Sequence, residues 1–128
     1  MILLFLDDMK ERHERFDSMT DGHEVWHAWS VEQAIKRLSE RIYDIAFLDH
    51  DLSDEHYADY HADRLSAAKG TGQEVAQFIA QMPADKRPRR VLVHSWNPIG
   101  AMAIARILRA AGVPVTMSTF GSFKVEAA

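Results

Sequence analysis

The chain contains no cysteine, so disulfides, thiolate nucleophiles and cysteine zinc sites are excluded together, and folding needs no oxidising compartment. Long apolar runs are missing as well. The first run, residues 2–6, is too short for a signal-peptide core or a membrane span, and it leads straight into Asp7-Asp8, charges that a bilayer rejects. A soluble, cytoplasmic protein without membrane contact is expected. Nor is there an excess of positive charge: a formal net charge of −4 argues against broad binding along a nucleic-acid backbone. The one basic cluster, Lys86-Arg87-Pro88-Arg89-Arg90, reads as a solvated loop between a helix and a strand, although such a patch can attract a phosphate. Glycine-rich phosphate loops, a Ser-His-Asp order and paired zinc-ligand motifs are absent. There is no internal repeat, low-complexity segment or interdomain linker. The 128 residues make one domain, 1–128, long enough to bury a core without covalent staples.

What the sequence does hold is two short apolar runs broken by carboxylates. Ile2-Leu3-Leu4-Phe5-Leu6 is followed by Asp7-Asp8, and Tyr43-Asp44-Ile45-Ala46-Phe47-Leu48 by Asp49-His50-Asp51. Such runs resemble buried parallel strands whose carboxyl ends open onto a site, which is where open α/β sheets bind ligands. Carboxylates gathered there repel one another unless a cation neutralises them, and Mg²⁺ needs only one or two of them plus waters and phosphate oxygens. The chemistry implied is a hard divalent cation acting on phosphate.

Strand and helix alternate along the chain. After the strand at 2–6, the polar stretch 9–16 can form a first helix, and Asp21-Gly22 turns the chain toward a second strand at 24–29. Ser30 with Gln33 has capping-box spacing, and Val31, Ala34, Ile35 and Leu38 fall on one helical face. A third strand covers 43–48, and residues 52–70, rich in Asp, His and Ala, read as a long loop with room for a helical turn. Thr71 and Glu74 repeat the capping-box spacing ahead of the apolar stripe Val75, Phe78, Ile79 and Met82, and that helix ends before Pro83. The fourth strand is 90–95. Asn97 caps the next helix with Pro98 at its first position, Gly112 closes it, and 113–118 is a fifth strand.

Strands joined by crossover helices imply a parallel sheet, and five of them at this length suggest the order 2-1-3-4-5 in a flavodoxin-like three-layer sandwich. Residues 120–125 have room for a short antiparallel strand rather than a fifth full helix. In this order strands one and three are neighbours, so Asp7, Asp8, Asp49 and Asp51 converge at one rim as metal-ligand candidates.

Asp7-Asp8 after strand one, Asp49 after strand three and Ser95 after strand four resemble the receiver domains of two-component response regulators. That resemblance implies an acidic pair binding Mg²⁺, a phosphoryl-accepting Asp49, a metal contact near Asp51 and a phosphate contact from Ser95. It departs in one place. Receivers carry a lysine directly after strand five, whereas this region reads Met117-Ser118-Thr119-Phe120 and the nearby lysine is Lys124.

The fuller pattern resembles a divergent relative, the cyclic-phosphate processing receiver domains. It rests on Leu4-Phe5-Leu6-Asp7-Asp8, Leu48-Asp49-His50-Asp51-Leu52, Thr71-Gly72, Val93-His94-Ser95, Asn97-Pro98 and Gly100-Ala101. The resemblance implies a phosphoesterase, dependent on Mg²⁺ or Mn²⁺, acting on a small cyclic-phosphate or nucleotide substrate or an RNA end. A phosphodiester hydrolase also needs an acid or base for water and leaving group, and His50 and His94 are the candidates beside Asp49 and Ser95. An isolated strand histidine is ordinarily a hydrogen-bonded core residue; the company of Ser95 and the aspartates makes His94 a candidate. His56 and His61 among acidic neighbours read as a solvated loop, and His13, His23 and His27 receive no role. Trp26 and Trp29 are packing residues, and Trp96 is either core or a platform for a base. Two other readings compete: a stand-alone receiver phosphorylated on Asp49 by a histidine kinase, and a haloacid-dehalogenase-type phosphatase. The second is weaker because its motif follows the first strand.

Overall fold

The structure is a computed structural model that describes residues 1–52 and 70–119. Its strands are β1 (Ile2–Leu6), β2 (Glu24–Ala28), β3 (Ile45–Leu48), β4 (Arg90–Val93) and β5 (Val115–Met117), and its α-helices are α1 (Lys10–Met19), α2 (Val31–Glu40), α3 (Gly72–Gln81) and α4 (Pro98–Ala110). All four strand pairings are parallel, in the order β2-β1-β3-β4-β5, as the alternation of strand and helix predicts. The expected antiparallel strand at 120–125 and most of the expected loop at 52–70, with His56 and His61, lie outside the described residues.

Side chains alternate across the sheet and divide the core in two. Leu4, Leu6, Ala46, Leu48, Val91 and Val93 face α2, α3 and α4, meeting Ala34, Leu38, Val75, Ile79, Ile104 and Leu108. Leu3, Phe5, Ile45 and Phe47 face the other way and pack with Phe16 of α1. Each Leu, Ile or Phe sealed here contributes about 1.5–3 kcal/mol of transfer free energy. The two faces are therefore fixed by strand parity, and the same parity continues into the residues just beyond each strand.

The caps form where the spacing predicts them, with one shift. Ser30 accepts from Gln33 N and Thr71 accepts from Gln73 N, but the returning side chains of Gln33 and Glu74 accept from Trp29 N and Gly70 N, one residue before each cap. Helix α4 begins with Asn97 accepting from Gly100 N, and it closes through Gly112 N and Val113 N donating to the carbonyls of Arg109 and Leu108. Helix α1 runs beyond the expected end at Phe16 to Met19, burying only His13 and Phe16.

One expectation is corrected. Arg87, assigned to a solvated charge run, is half-buried and donates to the carbonyls of Met82, Ala80 and Ala111 at 2.9–3.0 Å. It satisfies carbonyls left open at the ends of α3 and α4 and so ties these helices together. Lys86, Arg89 and Arg90 are exposed.

Candidate metal and phosphate site

Leu6, Leu48 and Val93 lie side by side in the sheet register. The ladder continues one step further: Asp49 N donates to Leu6 O at 3.1 Å and His94 N to Leu48 O at 3.0 Å. Asp7, Asp49 and His94 thus form a row across three adjacent strands, and alternation turns all three toward the α1 face. One ligand atom from each lies within 4.8 Å of the others. His94 is fully buried, stacked on Phe5 with centroids 5.0 Å apart, and its Nε2 is 3.1 Å from Asp7 Oδ2.

Since a carboxylate only accepts, His94 Nε2 carries the proton of that bond. Burial depresses the imidazole's affinity for a second proton, against the pull of Asp7, so His94 is held neutral. Burial alone would raise Asp7, but the bonds from His94 and Met9 N and the charge of Arg12 hold it below the usual carboxylate value. Asp49 goes the other way. Burial, then the charge of Asp7, pushes it up to about 8 although Arg12 opposes the shift. Asp8 is exposed at the rim and is also raised, by desolvation and then by Asp7.

The next residue on each strand turns to the opposite face. His50 is buried there with Nδ1 2.8 Å from Asp51 Oδ1, and Asn97 Nδ2 donates to the same oxygen at 3.4 Å. Ser95 Oγ accepts from Asn97 N at 3.0 Å. Helices α3 and α4 both bring their first turns against this loop. A Cβ on Gly72 would stand 2.0 Å from Asp49 O, and one on Gly100 would stand 2.4 Å from His50 Cγ, so backbone approaches here too closely for any other residue. His50 and His94 are thereby separated by the sheet.

The residues proposed from the sequence fall into two groups: Asp7, Asp49 and His94 meet on the α1 face, with Asp8 at its edge, and His50, Asp51 and Ser95 gather at the helix N-termini. Trp96 is 64% exposed and is not core. Two residues given no role belong to the site. Arg12 Nη1 is 3.2 Å from Asp7 Oδ2 and 3.6 Å from Asp49 Oδ2. His13 donates Nε2–H to Asp7 O at 2.7 Å, is 2.6 Å from His27 Nδ1 through its own Nδ1, and stacks on Trp29. The signal for Arg12 was its place one turn after Asp8 on a helix leaving the acidic rim.

The donor set suits a divalent cation. The carboxylates of Asp7 and Asp49 converge, while His94, whose Nε2 carries a proton, holds Asp7 in place and offers no lone pair at that nitrogen.

An open parallel sheet of order 2-1-3-4-5 with this acidic rim defines a receiver-like α/β domain. Residues 2–110 match the family model of the cyclic-phosphate processing receiver domain, and the chain belongs to that family. Among solved structures it is similar to a CheY-like receiver domain from Methylobacillus flagellatus (TM-score 0.65, 16% identity, covering 92% of this chain and 85% of that one). It is also similar to a Burkholderia pseudomallei response regulator with a phosphorylated aspartic acid, calcium ion and citrate (TM-score 0.63, 17% identity, 91% and 58%). A third is NtrX from Brucella abortus (TM-score 0.65, 18% identity, 96% and 24%). At these identities the likeness is one of fold alone, and the chain spans little more than half of the Burkholderia protein and a quarter of NtrX. No curated protein matches the chain. Among the described residues no helix is long and apolar enough to cross a membrane.

Proposed function

We propose that the protein is a metal-dependent phosphoesterase that opens a cyclic phosphate on a small nucleotide or an RNA end, with Mg²⁺ or Mn²⁺ held by Asp7, Asp49 and the neighbouring Asp8. The observation that carries this reading is the Asp7–Asp49 row, with ligand atoms within 4.8 Å of one another and Asp49 pushed up to about 8 by burial and then by the charge of Asp7. A bound divalent cation supplies the positive charge that polarises the phosphorus centre and stabilises its oxygens.

The remaining chemistry falls to the chain's own side chains. Asp51 accepts from His50 Nδ1–H, which leaves the Nε2 lone pair as a general base for water, in the manner of an imidazole oriented by a carboxylate. The water oxygen bonds to phosphorus as one of its protons passes to His50 Nε2; one ring P–O bond breaks, the departing oxygen takes a proton from solvent water, and Nε2 returns its proton to solvent, giving a monoester and a hydroxyl. Ser95 has its oxygen occupied by Asn97 N, so its hydroxyl hydrogen is left to donate to a phosphate oxygen. His94, sealed behind Asp7, fixes that carboxylate's orientation and does not meet the substrate. Trp96 offers an exposed ring beside Ser95 on which a base can stack.

The test is turnover of a panel of cyclic nucleotides and cyclic-phosphate-ended RNA with Mg²⁺ and Mn²⁺, and its loss in Asp49→Ala. The competing reading is a receiver phosphorylated on Asp49 by a histidine kinase, which the acidic rim and Ser95 also suit. Against it, the sequence Ser118-Thr119-Phe120 directly after β5 holds no lysine. Stoichiometric labelling of Asp49 by acetyl phosphate, with no turnover across the panel, establishes that alternative.

A further inference from the structure

Arg12 occupies the place between the two carboxylates that the metal reading needs. One nitrogen, Nη1, faces Asp7 Oδ2 at 3.2 Å and Asp49 Oδ2 at 3.6 Å. Both carboxylate side chains are almost wholly buried, whereas the arginine side chain keeps 20% of its surface exposed, so it has a way out that they lack. A divalent cation binding the same two oxygens and a guanidinium nitrogen facing both of them cannot coexist without strong repulsion at such short range.

We propose that Arg12 is the resident counter-cation of the metal-free site, that it withdraws from Asp7 and Asp49 when a divalent cation binds, and that its guanidinium then receives the substrate's phosphate. This rests on the metal-site reading above. Charge counting supports the sequence. One guanidinium nitrogen, with a single positive charge, is shared between two carboxylates. A divalent cation balances both, leaving the charge of Arg12 for an incoming anion. A planar fork of N–H donors also matches phosphate oxygens better than an ammonium does. The position of Arg12 in the first turn of α1, directly over the acidic row, keeps the displaced guanidinium at the site. Metal would then bind before phosphate.

The test compares the parent with Arg12→Gln and Arg12→Lys, each checked for folding by circular dichroism. Mn²⁺ titration by calorimetry should show Arg12→Gln binding the metal about tenfold tighter or more, since a competing charge a few ångströms away is gone. With Mn²⁺ saturating, inorganic phosphate should bind that variant about tenfold more weakly, the loss of a charge-assisted fork. Arg12→Lys should hold the parent's metal affinity and lose part of the phosphate affinity. On the parent itself, the Arg12 guanidinium ¹⁵N resonances should shift on adding Mg²⁺ and shift again with phosphate. Unchanged or weaker Mn²⁺ binding in Arg12→Gln, unaltered phosphate affinity, or static guanidinium resonances overturn the proposal while leaving the metal reading intact. If neither parent nor variant binds Mn²⁺ or Mg²⁺, the metal reading itself falls and the proposal with it.

Discussion

The ring of His50 fills the space that a side chain on Gly100 would need: an added Cβ would lie 2.4 Å from His50 Cγ and 2.6 Å from its Nδ1 and Cδ2. Gly100→Ala should therefore destabilise the protein by about 1–3 kcal/mol through overpacking, despite alanine's better helix propensity. Removing the ring as well should recover much of that loss. A double-mutant cycle of Gly100→Ala and His50→Ala in urea denaturation should give a coupling energy of about 1 kcal/mol or more. Simple additivity would show that the ring and the helix are not in contact.

Asp49 should make the metal-free protein lose stability as pH rises. Burial, then Asp7, raises it to about 8, so the folded state keeps a proton that the unfolded chain releases near its ordinary value. Between about pH 4 and pH 8 the folded state binds more protons than the unfolded, and stability falls with pH by up to about 1.4 kcal/mol per unit. Asp7 works in the opposite sense: it is lowered, and its stabilisation is present above the ordinary carboxylate value and lost as acid takes the pH through its depressed one. Denaturation of chelator-treated protein should thus show greater stability near pH 5 than near pH 8. Asp49→Asn should flatten the difference, and Mg²⁺ or Mn²⁺ should stabilise the parent most at the higher pH. Equal stability at both pH values in parent and variant would contradict the assignment.

Asn97 serves two partners at once, and substitutions can separate them. Its Oδ1 accepts from Gly100 N at 3.0 Å while Nδ2 donates to Asp51 Oδ1 at 3.4 Å. Asn97→Ala should cost about 1 kcal/mol as a lost cap. Asn97→Asp keeps the acceptor but sets a second carboxylate against Asp51, so its stability should approach that of the parent only in acid. Thermal melts across pH check this, and an Asn97→Asp protein indistinguishable from the parent at neutral pH would remove Asp51 from the contact.

The parts of this molecule that local chemistry determines were legible in the chain. Ser30, Thr71 and Asn97 stand at helix starts because a side-chain oxygen there satisfies a nearby N–H, and Asp7 and Asp49 follow directly on β1 and β3 where the apolar runs stop. The separation of His50 from His94 was also implicit, since each is one residue out of phase with the other relative to its strand end. What spacing does not reveal is what arrives from elsewhere. His94 meets Asp7 across 87 positions. Arg87 meets carbonyls from the ends of two helices. Arg12 sits on a helix with little apolar pattern, whose few buried residues leave its orientation to packing of Phe16 beneath the sheet.

That separation of the two histidines sets apart their consequences on substitution. His50 has Asp51 on one nitrogen and is one face away from the acidic row; His94 is wholly buried and donates to Asp7. Under the proposed reaction, His50→Gln should lower turnover of a cyclic-phosphate substrate by about 10²–10⁴-fold, the usual cost of losing a general base, with metal affinity preserved. His94→Gln should act through Asp7: metal affinity falls by about 10–100-fold, as for other outer-shell partners, and stability falls with it because a buried carboxylate loses its donor. Saturating metal should then restore much of the turnover of His94→Gln and none of that of His50→Gln. Steady-state kinetics at varied Mn²⁺, paired with calorimetric metal titrations, distinguish the two. If His94→Gln abolishes turnover at every metal concentration while binding Mn²⁺ as the parent does, its imidazole takes part in the chemistry directly, and the roles given to the two faces of the sheet are reversed.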